Sequence, residues 1–306
     1  MKAKRVAVIG ECMVELKKDG DKLEQGFGGD TLNTAVYLSR LTHQSSISVS
    51  YVTGLGTDPY SREMLKTWQA EHINTDTVYL SEDKLPGLYS IETTPEGERA
   101  FYYWRQDSAA KYWLKNQPIE RITQTLLQHE FIYISGISLA ILPSTCRQTL
   151  LKVLDSCRNA GVTIAFDNNY RTALWDDQST ARYWYEKMLQ HTDIAFLTYD
   201  DEQELWGDNT ELQTIVRTQT FGVSEVVIRR GSKDCIVVTR EATKYVSAIA
   251  VDQVIDTTAA GDSFSAGYLA KRIQGGSSEA SALSGHHLAG RVIQHRGAII
   301  PKHAMP

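Results

Sequence analysis

Apolar residues in this chain come in short unbroken runs, set between longer stretches of helical period. The runs are Val6–Ile9, Ser48–Val52, Phe131–Ile134, Thr163–Phe166, Ile194–Leu197, Val226–Ile228 and Ile236–Thr239. Most lack polar–apolar alternation, which suits strands covered on both faces. Between them, Asp30–Leu41, Tyr60–Ala70, Leu142–Ala160, Ser179–Gln190 and Ser278–Gln294 repeat apolar positions at helical spacing. Strand–helix–strand alternation predicts right-handed crossovers, and so an α/β domain with a mainly parallel sheet between two helix layers.

Two regions break the rhythm. Glu11–Lys17 and Lys22–Phe27 flank the turn-like Lys18-Asp19-Gly20-Asp21, while Leu88–Thr94 and Glu98–Arg105 flank Pro95-Glu96-Gly97. Pro and Gly punctuate hairpins, so these segments predict a small accessory sheet projecting from the main domain. It is either an ornament or a lid. Ligands of α/β proteins sit at the carboxyl ends of the strands, which favours the lid.

Composition narrows the class. A chain of 306 residues with 42% hydrophobic and 23% charged positions can build a substantial core. The formal charge of −5 argues against a nucleic-acid partner, but a small anion responds only to local charge. Cys12, Cys146, Cys157 and Cys235 form no CxxC pair and read as reduced interior thiols of a cytoplasmic protein. Val6–Ile9 is too short for a signal-peptide core, and no run approaches a membrane span.

The stretch most suggestive of chemistry is Asp256-Thr257-Thr258-Ala259-Ala260-Gly261-Asp262, followed by an apolar helical pattern through Tyr268, Leu269 and Ile273. Small side chains at a helix start let a phosphate approach free backbone N–H groups, and the helix dipole favours its charge. Asp262 would project from the first turn beside that phosphate; alternatively it is only a favourable acidic first-turn residue. The helix terminus predicts a depressed pKa for it. Gly26-Phe27-Gly28-Gly29-Asp30-Thr31-Leu32-Asn33 again sets glycines before a helix, with Asp30 the expected N-cap. There is no GxxxxGK[ST], and no GxGxxG after a strand.

Gly28–Asn33 and Asp256–Asp262, in that order, resemble the paired signatures of the ribokinase-like (PfkB) carbohydrate kinases. Gly10-Glu11-Cys12-Met13, Phe101–Arg105, Asp167–Arg171 and His295–Ala298 narrow the resemblance to the branch that phosphorylates 2-dehydro-3-deoxygluconate. The resemblance covers the whole chain. It implies one ribokinase-like catalytic domain over residues 1–306, with a β-sheet lid from about 11–28 and 88–105. It also implies Asp262 as the base and the backbone of Ala259, Ala260 and Gly261 as an anion hole. Gly29, Asp30, Asn33, Tyr89, Tyr103, Arg105 and Arg171 would hold the sugar acid. Asn169, Arg171, Arg230, Gly231, Ser232, Lys233 and His286 would join the anion-hole residues around ATP.

Magnesium would be held mainly by phosphate oxygens and water, with Glu202 acting through water. Potassium near Asp256 and Thr258, and pairing of two chains through aromatic lid faces, are further expectations. Alternatives stand beside several residues. Arg105 could pack on Tyr103 or Trp104, either arginine could pair with Asp167, and Arg229–Asp234 could be a plain basic turn. The His286-His287 pair suits packing better than a metal. Three departures from the family pattern are Ala259 in place of glycine, Tyr199 in place of asparagine three residues before Glu202, and His286 in place of asparagine. A kinase for a neutral sugar such as fructose or ribose, and a non-catalytic sugar-acid sensor, are the competing functions. A neutral sugar needs no pair of guanidiniums, and a sensor needs no base.

Overall fold

The computed structural model describes residues 4–19, 22–93, 99–115 and 117–306. Among them, one sheet has nine strands in the order Thr243–Val246, Cys235–Val238, Glu225–Arg229, Ile194–Thr198, Thr163–Asp167, Phe131–Ser135, Lys4–Ile9, Ile47–Val52 and Ile73–Asn74. From Ile73–Asn74 across to Glu225–Arg229 every pairing is parallel. The last two strands run antiparallel. Only Arg230–Asp234 separates Glu225–Arg229 from Cys235–Val238, too short a link for a crossover helix.

The unbroken apolar runs have a direct physical reading. Alternate residues of each strand feed two separate cores, one on each face of the sheet. Ala7, Ile9, Ile132, Ile134, Ile164 and Phe166 pack against helices Ser144–Asn159 and Gln178–Leu189. Val6, Val8, Tyr133, Ala165 and Phe196 face helices Asp30–Thr42, Pro59–Ala70, Ala260–Ile273 and Ser278–Val292. Burying both faces removes the reason for a polar position in every second place.

Helix boundaries follow local chemistry. Asp58 caps Pro59–Ala70 by accepting from the N–H groups of Tyr60 (2.9 Å) and Ser61 (3.1 Å), with Pro59 at the first helical position. The helix expected from Leu142 begins at Ser144, because the residue before Pro143 is driven to extended backbone and Leu142 has φ −71° and ψ 140°. Helices Gly136–Ile141, Tyr199–Trp206 and Glu211–Thr220, of 6, 8 and 10 residues, are too short for periodicity to mark them.

The accessory sheet is present as four strands in the order Lys22–Gly28, Met13–Asp19, Leu88–Thr93 and Arg99–Trp104. Its central pairing, Met13–Asp19 with Leu88–Thr93, is parallel, and the outer pairings are antiparallel. Gly20 and Asp21 of the first expected turn, and Thr94–Glu98 with Pro95-Glu96-Gly97, lie outside the described residues. The parallel register brings Ser135, Asp167, Thr198 and Arg229 together at the carboxyl ends of four adjacent interior strands. Everything that follows is built there.

Candidate active site

A cavity of about 1030 Å³ lies between those strand ends and the small sheet. Asp30, Asn33 and the Thr257–Asp262 loop line it together with Asp167, Thr198 and Arg229; Tyr89, Tyr103 and Arg105 of the small sheet line its other side.

The loop before helix Ala260–Ile273 is built to leave donors open. Ala259 adopts the left-handed conformation, with φ 61° and ψ 16°. The Ala260 N–H bonds to Thr257 O (3.2 Å) and the Ser263 N–H to Ala259 O (2.9 Å). Between them the amides of Gly261 and Asp262 open the first turn, where an anion is favoured. Gly261 cannot carry a side chain without crowding, since a Cβ there would stand 3.1 Å from Arg229 Nη1. Gly29 is similarly constrained, its Cβ position lying 2.2 Å from the Glu11 carbonyl oxygen. Gly29, in extended backbone, is the residue that precedes helix Asp30–Thr42; Asp30 is inside the helix instead of capping it. Its carboxylate accepts from Asn169 Nδ2 at 2.8 Å.

Asp262 accepts from Asn33 Nδ2 at 2.9 Å, and its carbonyl accepts from Thr34 Oγ1 at 3.3 Å. Its pKa runs against the helix-terminus expectation. Burial raises it, and the neighbouring Asp30 carboxylate raises it further, outweighing the Asn33 hydrogen bond and the Arg229 charge. Burial also raises Asp30. The dipole was the correct local force, but shielding and like charge win. Asn33 Oδ1 is buried with no partner, an acceptor left over in the cavity wall.

On the small-sheet side, Arg105 is ion-paired with Glu11 and lies over the Tyr103 ring with 5.8 Å from guanidinium carbon to ring centroid. Glu11 Oε1 and Arg105 Nε are buried without partners. Tyr89 donates to Glu15. Arg171 is exposed, donates to Tyr170 O (2.6 Å) and stands 3.7 Å from Asp201. Asp167 pairs with Arg229 instead, so neither sugar-acid arginine takes it.

Gly29, Asp30, Asn33, Tyr89, Tyr103, Arg105, Asn169, Arg171, Ala259, Ala260, Gly261 and Asp262 thus line one cavity. Arg230, Gly231, Ser232, Lys233, His286 and Glu202 are not part of that lining. Arg230 is held by Glu211 (2.9 Å) and Asp234 O (2.8 Å). His286 packs edge-on against Phe264 and its Nε2 meets Val246 O at 3.1 Å. Glu202 is buried, its Oε1 accepting from Asn168 and its Oε2 paired with Arg217. Among the described residues no cluster of three or more His, Cys, Asp or Glu is arranged to hold a metal. The sequence did not single out Glu15, and it offered Glu11, Asp167 and Arg229 only as members of longer motifs or as possible ion-pair partners, not as site residues. Asp167 and Arg229 were findable, since each is a charged residue closing an apolar strand run at the carboxyl end.

A helix start open to phosphate, a carboxylate beside it and a guanidinium opposite make the site of a small-molecule kinase. The pfkB family carbohydrate kinase profile matches residues 3–305. The chain is 53% identical to the 2-dehydro-3-deoxygluconokinase of Dickeya dadantii (strain 3937), with 100% of both chains covered. It is 50% identical to the 2-dehydro-3-deoxygluconokinase of Escherichia coli (strain K12), with 99% of each covered. A putative ribokinase II from E. coli in complex with ATP and magnesium superposes with a TM-score of 0.82 at 19% identity, covering 97% of this chain and 94% of that one. The chain belongs to the pfkB family of carbohydrate kinases.

Two outcomes are expected from this geometry. Replacing Ala259 with Gly removes a left-handed non-glycine residue and should raise unfolding stability by about 1 kcal/mol, read from denaturant midpoints. A fall in stability would show that the loop needs the methyl group. With Asp262 as the expected base, the acid limb of kcat/KM should lie above the ordinary carboxylate range, because such a base works only once it has lost its proton. Asp30→Asn removes a charge that raises Asp262 and should move that limb to lower pH. A limb that stays in place would separate Asp30 from the base.

Proposed function

We propose that this chain transfers the γ-phosphoryl group of ATP to the 6-hydroxyl of 2-dehydro-3-deoxy-D-gluconate, giving 2-dehydro-3-deoxy-6-phospho-D-gluconate and ADP. The observation that carries the proposal is the position of Asp262. Its carboxylate and the open amides of one helix turn share a single cavity with the guanidinium of Arg105. Full-length identity of 50–53% to relatives of that name supports the substrate.

In the reaction, the hydroxyl oxygen of the sugar acid attacks the γ-phosphorus. The bond to the β,γ-bridging oxygen breaks, ADP leaves, and the hydroxyl proton passes to Asp262. Asn33 holds the Asp262 carboxylate towards the cavity (2.9 Å) and offers its own spare Oδ1 to a sugar hydroxyl. The Ala259–Gly261 backbone, through the open amides of Gly261 and Asp262 at the start of helix Ala260–Ile273, receives the charge of the transferring group, which is where such catalysis gains most. Gly29 and Asp30 border the sugar, Tyr89 and Tyr103 cover it, and Arg105 with Arg171 meets its carboxylate. A guanidinium matches a carboxylate in planar geometry.

ATP fits the open helix turn through its phosphates, near Asn169 and Arg171. Its nucleoside end points towards the Arg230-Gly231-Ser232-Lys233 turn and His286. Magnesium would come with the nucleotide, held mainly by phosphate oxygens and water, and would supply neutralisation of phosphate charge. Potassium, where the reaction uses it, would sit near Asp256 and Thr258; the Asp256 carboxylate accepts from Thr258 N (3.0 Å), Thr258 Oγ1 (2.7 Å) and Gly297 N (2.8 Å). The small sheet acts as the lid. Its exposed Phe101, Tyr102, Tyr103 and Trp104 suit pairing with a second copy. Among the described residues no helix is long and apolar enough to cross a membrane, and all four cysteines are buried and unpaired with one another. A cytoplasmic site of action is part of the same reading.

The test is a panel with ATP and magnesium, comparing 2-dehydro-3-deoxygluconate with gluconate, fructose and ribose. The acid with the 2-keto group should turn over best; preference for fructose or ribose would favour the neutral-sugar kinase, and no turnover at all the sensor. Asp262→Asn should lower kcat by about 10²–10⁴-fold while both substrates still bind, and retained turnover would remove it as the base. Arg105→Ala should raise KM for the acid about ten- to a hundredfold. An unchanged KM would mean that Arg105 serves only Glu11.

A further inference from the structure

Arg229 stands at the junction of the large sheet and the phosphate loop. Its guanidinium grips Asp167 with two bonds, Nη2 to Oδ1 at 2.6 Å and Nη1 to Oδ2 at 2.8 Å. The same Nη1 donates to the Gly261 carbonyl (3.0 Å) and to Ser265 Oγ (3.0 Å), while Nη2 donates to Thr198 Oγ1 (3.0 Å). Asp167 is held in turn by Ser265 Oγ (2.9 Å) and Tyr133 (3.1 Å). Three strand ends and one helix start therefore meet on a single guanidinium. The peptide it holds joins Gly261 to Asp262, the residue that carries the base.

We infer that Arg229, fixed by Asp167, is the positioning residue of the phosphoryl-transfer loop, setting the orientation in which the Gly261–Asp262 peptide receives the phosphoryl group. The inference rests on the reaction proposed above. Three observations favour this over a purely structural clamp. A buried ion pair adds little stability over well-packed apolar residues of similar size. Both partners line the cavity, although the pair could have been placed anywhere in the core. Arg229 Nε is buried without an acceptor, an unmet donor that a clamp selected for stability alone has no reason to keep.

Charge gives the pair a second effect. The groups facing Asp262 are Asp30 and Tyr37 of its neighbouring helix, Tyr133, Asp167 and Arg229 of the strand ends, with Asn33 as hydrogen-bond donor. Arg229 is the cation in that group. It lowers the proton affinity of Asp262, whereas Asp167 raises it. Removing one partner or the other should therefore move the base in opposite directions.

The experiment measures kcat, KM and the pH dependence of kcat/KM for the wild-type chain, Arg229→Met, Arg229→Lys and Asp167→Asn, with thermal melts to establish folding. Arg229→Met should lower kcat by about 10²-fold with KM for both substrates little changed, and move the acid limb to higher pH. Asp167→Asn should move the limb to lower pH. Arg229→Lys keeps the charge, so it should restore the limb and recover only part of the rate. If Arg229→Met does not fold, the Lys and Asn variants alone give the comparison. Folded variants with wild-type kcat and unshifted limbs would overturn the inference, and so would limbs that move the same way in Arg229→Met and Asp167→Asn. If the wild-type chain instead prefers another sugar of the panel, the substrate assignment fails, and the same comparison run with that sugar still decides the role of Arg229.

Discussion

The site depends on keeping negative charge concentrated where more of it must arrive. Asp30, Asp167 and Asp262 crowd one end of a cavity that has to admit phosphate groups and a sugar acid. The compensation is structural. Arg229 neutralises Asp167 at the strand ends, and the open amides of the helix start lie beside the base. Without the cation and the helix turn, the carboxylates would repel the ligand. Without the carboxylates, no group would take the proton. The parallel sheet is what makes this possible, since its register places the ends of several strands within one guanidinium's reach.

In the proposed reaction the small sheet would answer a different problem, the recognition of an acid. Arg105 is already paired with Glu11 in this structure, so the cation arrives in the cavity neutralised and oriented. Its unpartnered Nε and the unpartnered Oε1 of Glu11 leave one donor and one acceptor over. A polyhydroxy acid carries both complements, a carboxylate and hydroxyls. Arg171 is exposed and only loosely tied to Asp201, which leaves it movable when a ligand enters.

Much of the fold was legible because burial on both faces of a parallel sheet writes itself as unbroken apolar runs such as Thr163–Phe166 and Ile194–Leu197. The helix that begins at Ala260 was legible for an equally local reason: a loop of small residues gives way to an apolar helical pattern through Tyr268, Leu269 and Ile273. What stayed hidden depends on distance in sequence. Asp167 and Arg229 are 62 residues apart, and nothing in either neighbourhood announces the other. Glu11 and Arg105 are 94 apart. The pKa of Asp262 was misread for the same reason, since the helix terminus lies next to it in sequence while Asp30 does not. The helix Tyr199–Trp206 escaped because its first turn is acidic and polar, a pattern that periodicity does not mark.

The central claim is that the Asp262 carboxylate faces the hydroxyl that is phosphorylated while Arg105 holds the other end of the same molecule. A crystal structure with 2-dehydro-3-deoxygluconate, magnesium and a non-hydrolysable ATP analogue measures both contacts at once. The account predicts the 6-hydroxyl oxygen within about 2.6–3.2 Å of an Asp262 carboxylate oxygen, and the substrate carboxylate on the Arg105 guanidinium. A 6-hydroxyl turned away from Asp262, or a substrate carboxylate held elsewhere, would contradict it.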